Sequence, residues 1–195
     1  MSNLVTQYND LIPYMIEDLP GVPNKVISKQ LRESGRRFCI DSESWIEELD
    51  AIDIVSGTDT YNLQTGWDAS VQRIQKVEYD GALMDTCKYN LIQEYQIKLT
   101  DEPTADSTGG LIVTIILRPH LSSNELPEWF LERYSETVMA HAKNRLMIQP
   151  KKPWSNPELA HEKWVEYWEG IARAKREVFI DYKQVPFKMQ PQSFM

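Results

Sequence analysis

Gln149-Pro150-Lys151-Lys152-Pro153-Trp154-Ser155-Asn156-Pro157-Glu158 is the stretch that decides how the chain must be arranged. Pro150 and Pro153 cannot continue a helix, and the residue before each is driven towards extended backbone. Asn156 offers a side-chain oxygen to the free amides of a new helix. Pro157 suits its first position, and Glu158 sits at its positive end. Behind this joint, Phe130, Tyr134, Val138, His141 and Arg145 recur at helical spacing from a start at Pro127. Ahead of it, Ala160, Trp164, Tyr167, Ile171, Ala174 and Val178 form one apolar stripe at i, +4, +7, +11, +14 and +18. The spacing predicts two long helices, the second returning along or across the first. Pro153, Trp154, Asn156 and Pro157 are the residues expected to hold that joint, with Trp154 folding back onto it.

Towards the N-terminus the pattern is helical again. Tyr8 to Leu19 reads as a short helix, with Asn9 as its cap and Pro13 tolerated in the first turn. Leu19-Pro20-Gly21-Val22-Pro23 stops it. A second helix is expected from Pro23 to about Cys39. Ile27, Leu31, Phe38 and Cys39 lie on its inner face, Lys25, Lys29, Arg32 and Arg36 on the outside, and Ser34-Gly35 permits close packing.

Between these helical flanks the period shortens from 3.6 towards 2. Ile52 and Ile54 alternate with Asp53, Ser56-Gly57-Thr58-Asp59 is a turn, and Tyr61 and Leu63 follow it. Strands are expected at Ile74 to Tyr79, Glu94 to Leu99 and Leu111 to Leu117. Asp80-Gly81 gives the strongest hairpin signal. The run Leu111-Ile112-Val113-Thr114-Ile115-Ile116-Leu117 is apolar enough to be a central strand covered on both faces. The polar stretch from Thr100 to Gly110 is a loop, and Pro119 ends the last strand.

The expected fold class is therefore α+β. Residues 1–45 and 119–182 make a helical bundle from both chain ends, and residues 46–118 a β-rich insertion of five or six strands. Residues 183–195 form an extended C-terminal arm. That arm has no acidic residue, two prolines and exposed Phe and Met side chains that call for burial on a partner.

Composition narrows the function. The 195 residues are 42% hydrophobic and 26% charged, ordinary for a soluble globular protein. No apolar run approaches the roughly 20 residues of a membrane span, so no membrane role is expected. Met1-Ser2-Asn3-Leu4 shows no basic region followed by an apolar run, so no secretory signal is expected either. Cys39 and Cys87 are too far apart for a metal or redox motif and are read as free, buried thiols. The net charge of −8 opposes binding to nucleic acid through phosphates. From Lys143 onwards ten Lys/Arg stand against six Asp/Glu, a net of +4, so the first 142 residues carry −12. A partner for the mildly basic C-terminal third is expected.

Catalytic signatures are missing. His120, His141 and His161 have no ligand spacing, and His141 reads as a core histidine. The glycines build no phosphate loop, and no serine occupies a nucleophile elbow. Glu47-Glu48 or Asp101-Glu102 could be imagined as hydrolase carboxylates, but neighbours on a strand point to opposite faces. No enzyme, cofactor or metal is expected. Trp168 and Phe179 lie off the main stripe of their helix, where a buried position would require a neighbouring subunit.

Both flanks carry a resemblance. Leu19-Pro20-Gly21-Val22-Pro23 precedes a helix that ends Arg36-Arg37-Phe38-Cys39-Ile40-Asp41-Ser42-Glu43-Ser44-Trp45. At the other end, Lys152-Pro153-Trp154-Ser155-Asn156-Pro157-Glu158-Leu159-Ala160 opens a long amphipathic helix that leads into a Pro-Phe arm. Together these resemble head-to-tail adaptor (connector) proteins of tailed double-stranded-DNA bacteriophages. The β-rich segment carries no motif of that family.

The resemblance implies a structural virion protein, assembled in the host cytoplasm and placed in the neck between capsid portal and tail. Such proteins form a homo-oligomeric ring, commonly of twelve copies, that continues the DNA channel without binding DNA specifically. Its partners would be the portal protein and tail or nozzle proteins. The family's portal-reaching helix end and arm correspond here to Val178–Met195. Phe179, Tyr182, Val185, Phe187, Met189 and Phe194 are the expected docking residues. A stopper or other tail-completion protein of the neck is the nearest alternative. A carboxylate-dependent hydrolase using Glu47 or Glu48 is the distant one.

Overall fold

The structure is a computed structural model and describes residues 5–182. Its fold is α+β, with four α-helices and three antiparallel sheets among those residues. The chain begins with β1 (Val5–Gln7), a 3-10 turn (Tyr8–Leu11), α1 (Ile12–Ile16) and α2 (Asn24–Ser42). The strand-rich middle follows: β2 (Ile46–Glu48), β3 (Ile52–Ile54), β4 (Thr60–Asn62), β5 (Ala69–Tyr79), β6 (Ala82–Leu83), β7 (Tyr89–Ile92), β8 (Gln96–Leu99) and β9 (Ser107–Pro119). It closes with β10 (Glu125–Pro127), α3 (Glu128–Met147) and α4 (Pro157–Tyr182).

The joint forms as its residues dictate. The N–H groups of Ile148 and Gln149 donate to the carbonyls of Asn144 (3.0 Å) and Leu146 (3.2 Å), closing α3. Lys151 takes a left-handed φ of 62° and turns the chain. The Asn156 N–H donates back to the Met147 carbonyl at 3.0 Å, tying the start of one helix to the end of the other. Asn156 Oδ1 then accepts from the Leu159 N–H at 3.2 Å, and Pro157 is the first helical residue.

The reversal makes α4 antiparallel to α3. Asn144 Nδ2 donates to the Ala160 carbonyl at 2.8 Å, and the His141 and Tyr167 rings lie 4.6 Å apart. Further along, Gly170 meets Thr137, and the Tyr134 hydroxyl donates to Glu177 at 2.8 Å. Gly170 lets the two helices approach closely: a Cβ there would overlap the Thr137 side chain. α2 packs on both α3 and α4, with the buried Ser34 hydroxyl 2.9 Å from His141 Nδ1. Ser34-Gly35 permits close packing on two sides, because a Cβ at Gly35 would run into the ring of Tyr8.

β9 is the spine of the five-stranded sheet. It pairs with β5 on one side and with β2 and β3 on the other, and β6 extends the β5 edge. Buried residues from Gly110 to Leu117 leave only Ile112 half-buried, so the apolar run is covered on both faces. β4, β8 and β7 form a separate three-stranded sheet. Asp80 (φ 47°) and Gly81 (φ 78°) are both left-handed in the β5–β6 hairpin, as a two-residue primed turn requires. The core continues from sheet to helices through Phe130, whose ring contacts Phe38, Trp45 and Tyr134.

Several expectations need correction. The first helical segment ends at Ile16, and Asn9 is no cap, since its Oδ1 accepts from the Ser28 hydroxyl at 2.9 Å. α2 runs to Ser42, where Glu43 ends it with a left-handed φ of 53°. Arg32 and Arg36 are half-buried and donate to Asn124 Oδ1 and the Pro119 carbonyl. β5 starts at Ala69 because its pairing with β9 continues to Pro119 across two bulges, at Val71/Arg73 and Ile74/Lys76. The strand expected from Glu94 to Leu99 starts at Gln96, since Gln93 is left-handed and Glu94-Tyr95 complete the turn. Gly109-Gly110, expected in the loop, belong to β9. The eight strands of the insertion form two sheets where one of five or six strands was expected, and β1 with β10 makes a third sheet outside it.

Candidate docking surface

The joint residues are brought together as expected. Pro153 is exposed beside the turn, while Trp154 is half-buried against the core with the Lys152 ammonium 5.6 Å above its ring. Its Nε1 is buried without a hydrogen-bond partner, so the indole is held by packing and by the cation alone. This is a structural lock.

Next to the joint, Asn144, Arg145, Ile148, Pro157, Ala160, His161 and Trp164 line an open cleft of about 410 Å³. Arg145 keeps the helical spacing of its row but is exposed, and Asn144 beside it is buried. Trp164 was assigned to the core stripe but is 38% exposed. It stands at the edge of that stripe, touching His141 and Tyr167 with one side of its ring. Tyr167, Ile171 and Ala174 are buried as expected.

Beyond Trp164 the exposed side of α4 carries four large apolar residues among its charged ones. Val165, Trp168, Phe179 and Ile180 are each between 43% and 59% exposed. Trp168 packs edge-on against both Trp164 and Tyr167, which holds its ring in place at the surface. The other side of the α3–α4 pair is different. Arg133, Glu136, Glu166, Glu169 and Arg173 line one small charged cleft there, and Lys143 and Lys163 with Glu136 and Glu166 a second. Such a charged face is content in water. The apolar one is the face that gains from a partner.

Near the C-terminal end of α4 a second cleft, about 400 Å³, lies between Ser44, Ile46, Trp129, Arg133, Tyr134, Glu177 and Val178. Burial, together with the Glu177 carboxylate accepting from the Tyr134 hydroxyl, pushes the Tyr134 phenol up to about 12. Of the residues expected to dock a portal, Phe179 is on this end of the helix and half-exposed. Tyr182 is its last residue. Val185, Phe187, Met189 and Phe194 lie outside the described residues.

Among the described residues no group of three or more His, Cys, Asp or Glu could hold a metal ion. His141 is buried against Ser34, and burial with the nearby Arg145 pulls its pKa down to about 4. Cys39 is buried, but Cys87, expected to be buried, is exposed in the 3-10 turn Thr86–Lys88. Glu47 and Glu48 pair across β9 with consecutive residues, Ile115 and Thr114, and so face opposite sides. Burial raises the Glu47 pKa against the pull of the neighbouring Trp67 indole, and its Oε2 has no hydrogen-bond partner.

Charge sorts by element more sharply than by sequence halves. Residues 46–118 contain 13 Asp/Glu and 5 Lys/Arg, a net of −8, which is the whole charge of the chain. Residues 1–45 and 119–182 together carry a net of −2, and Lys183 and Lys188 of the arm offset it. No helix among the described residues is long and apolar enough to cross a membrane. No protein-family model matches the sequence, and no curated protein matches it.

Proposed function

We propose that this chain is a structural protein of a phage neck, a ring adaptor that sits below the portal, joins head to tail and continues the DNA channel. In this reading both chain ends build a helical bundle that packs copy against copy. The β-rich insertion is carried on it, and the C-terminal arm reaches the portal. The observation that carries the reading is the apolar outer face of α4 running directly towards that arm, with Phe179 half-exposed on its last turns. It is joined by the flanking residues that resemble the adaptor family and by a joint that fixes the direction of α4 through Asn156 and Pro157.

Charge fits the same picture. An insertion of net −8 repels phosphates, so duplex DNA passing near it slides without sticking. The helical part, at a net of −2 over residues 1–45 and 119–182, can pack against copies of itself with little like charge.

The interface energy is assigned to a few large apolar side chains at the end of α4 and in the arm, with Phe187 foremost. Phe187→Ala should weaken docking to the portal about tenfold or more while leaving the unfolding transition unchanged. Pull-down or interferometry against purified portal measures the first effect, and a thermal melt the second. Docking of Phe187→Ala at wild-type strength contradicts the assignment.

A further inference from the structure

The cleft beside the joint is apolar with a cationic edge. Ile148, 57% exposed, and Trp164 form its walls with Pro157 and Ala160, and its only charged or titratable lining is Arg145 and His161. The stretch around it, residues 145–157, adds Lys151 and Lys152 and contains no Asp or Glu. Arg145 is exposed and makes no ion pair among the described residues. An apolar recess with an unpaired guanidinium at its rim suits an apolar side chain that has a carboxylate next to it.

The β-rich insertion carries that pair of groups. Leu83, in the two-residue edge strand β6, is 69% exposed, the most of any large apolar side chain among the described residues. Asp85 follows in extended backbone (φ −70°, ψ 142°), and an extended chain turns residues two apart to the same side. Burial shows that alternation: Leu83 and Asp85 are exposed, while Met84 between them packs against the core. Residues 77–87 hold Glu78, Asp80 and Asp85 and no Lys or Arg. Glu78 is paired with Lys76, and Asp80 accepts from the Ser107 hydroxyl. Asp85 makes no ion pair among the described residues, so its charge is available to a partner.

We propose that the β5–β6 hairpin of one copy docks in the joint cleft of a second copy of this chain. Leu83 fills the space between Ile148 and Trp164, and Asp85 pairs with Arg145. Removing Leu83 and Ile148 from water drives the contact, and the ion pair sets its register. The insertion's net of −8 meets the basic stretch at the joint, which steers the approach. Hairpin and cleft are different surfaces, so each copy gives one contact and receives another, head to tail. Closure of such a series into a ring rests on the function proposed above, and the contact itself does not. One hairpin in one cleft is a small contact, so free copies add to one another only when concentrated.

The test uses the full chain without portal, so its failure and the failure of the ring reading are separate results. Sedimentation up to about 1 mM should show the mass rising from one chain, 22.7 kDa, past that of two, because a head-to-tail contact leaves a hairpin and a cleft open at the ends. Leu83→Asp spoils the hairpin and Arg145→Glu the cleft, and each alone should raise the dissociation constant about tenfold or more. Both sites are exposed, so the fold, followed by circular dichroism, should not change. An equal mixture of the two variants keeps one sound hairpin and one sound cleft, so it should associate again and stop at two chains. A wild-type chain that stays single throughout, or that stops at two, overturns the proposal. So does a single variant that associates as the wild type does, or a mixture that stays single.

Discussion

Phe130→Ala should destabilise the protein by about 4 kcal/mol, the cost of emptying an aromatic site in a closed core. The ring is fully buried and meets aromatic rings of α2, of its own helix and of the segment leading into β2. Phe38 of α2 meets it edge-on at 5.4 Å, Tyr134 of α3 at 5.4 Å, and Trp45, which leads into β2, at 6.3 Å. Removing it leaves a cavity where helices and sheet join, and none of those three neighbours can fill it without abandoning its own packing. Urea unfolding, read at unchanged m-value, measures the loss. A change below about 1 kcal/mol would mean that helices and sheet do not share this core.

Acidification from pH 7 to pH 4 should remove about 3 kcal/mol of stability through His141 alone. Its pKa is about 4 in the fold, held down first by burial and then by Arg145 and Arg37, with Asp41 opposing. In the unfolded chain it returns to about 6.5. The unfolded state therefore binds more protons between these values, so stability is complete above the upper one and falls as pH approaches the lower. His141→Gln keeps a hydrogen-bonding group opposite Ser34 and has nothing to titrate there. Its stability should change less with pH than that of the wild type, the two curves converging by about 3 kcal/mol between pH 7 and 4. Parallel curves would place His141 in contact with water.

What could be read in the sequence was local chemistry. The cap at Asn156, the proline after it and the Asp80-Gly81 turn depend on a few adjacent residues, and each appears where those residues put it. The core stripe of α4 was legible for the same reason, apart from Trp164. That residue satisfies the spacing but sits at the border of the stripe, where neighbouring elements do not reach round to cover it. Arg145 met the spacing too, and its charge keeps it in water.

Long-range pairing was not legible. β1 and β10 join the two ends of the helical part through Val5↔Pro127, Thr6↔Leu126 and Gln7↔Glu125. Three-residue strands, one ending in proline, carry no alternation to betray them. The division of the middle strands between two sheets depends on partners far apart in sequence, as when β4 pairs with β8. The exposed apolar side of α4 was present in the sequence only as two aromatic residues off the main stripe, Trp168 and Phe179. Counting charge by position, with a division at Lys143, hid that the insertion alone carries the net −8.

The ring reading stands or falls on what the portal does to this chain. Mass by light scattering and shape by negative-stain microscopy, taken before and after purified portal is added, test it directly. The reading predicts small species alone and closed rings seated on one end of the portal once it is present, with the C-terminal arm at the contact. A chain whose mass and shape are indifferent to the portal contradicts it.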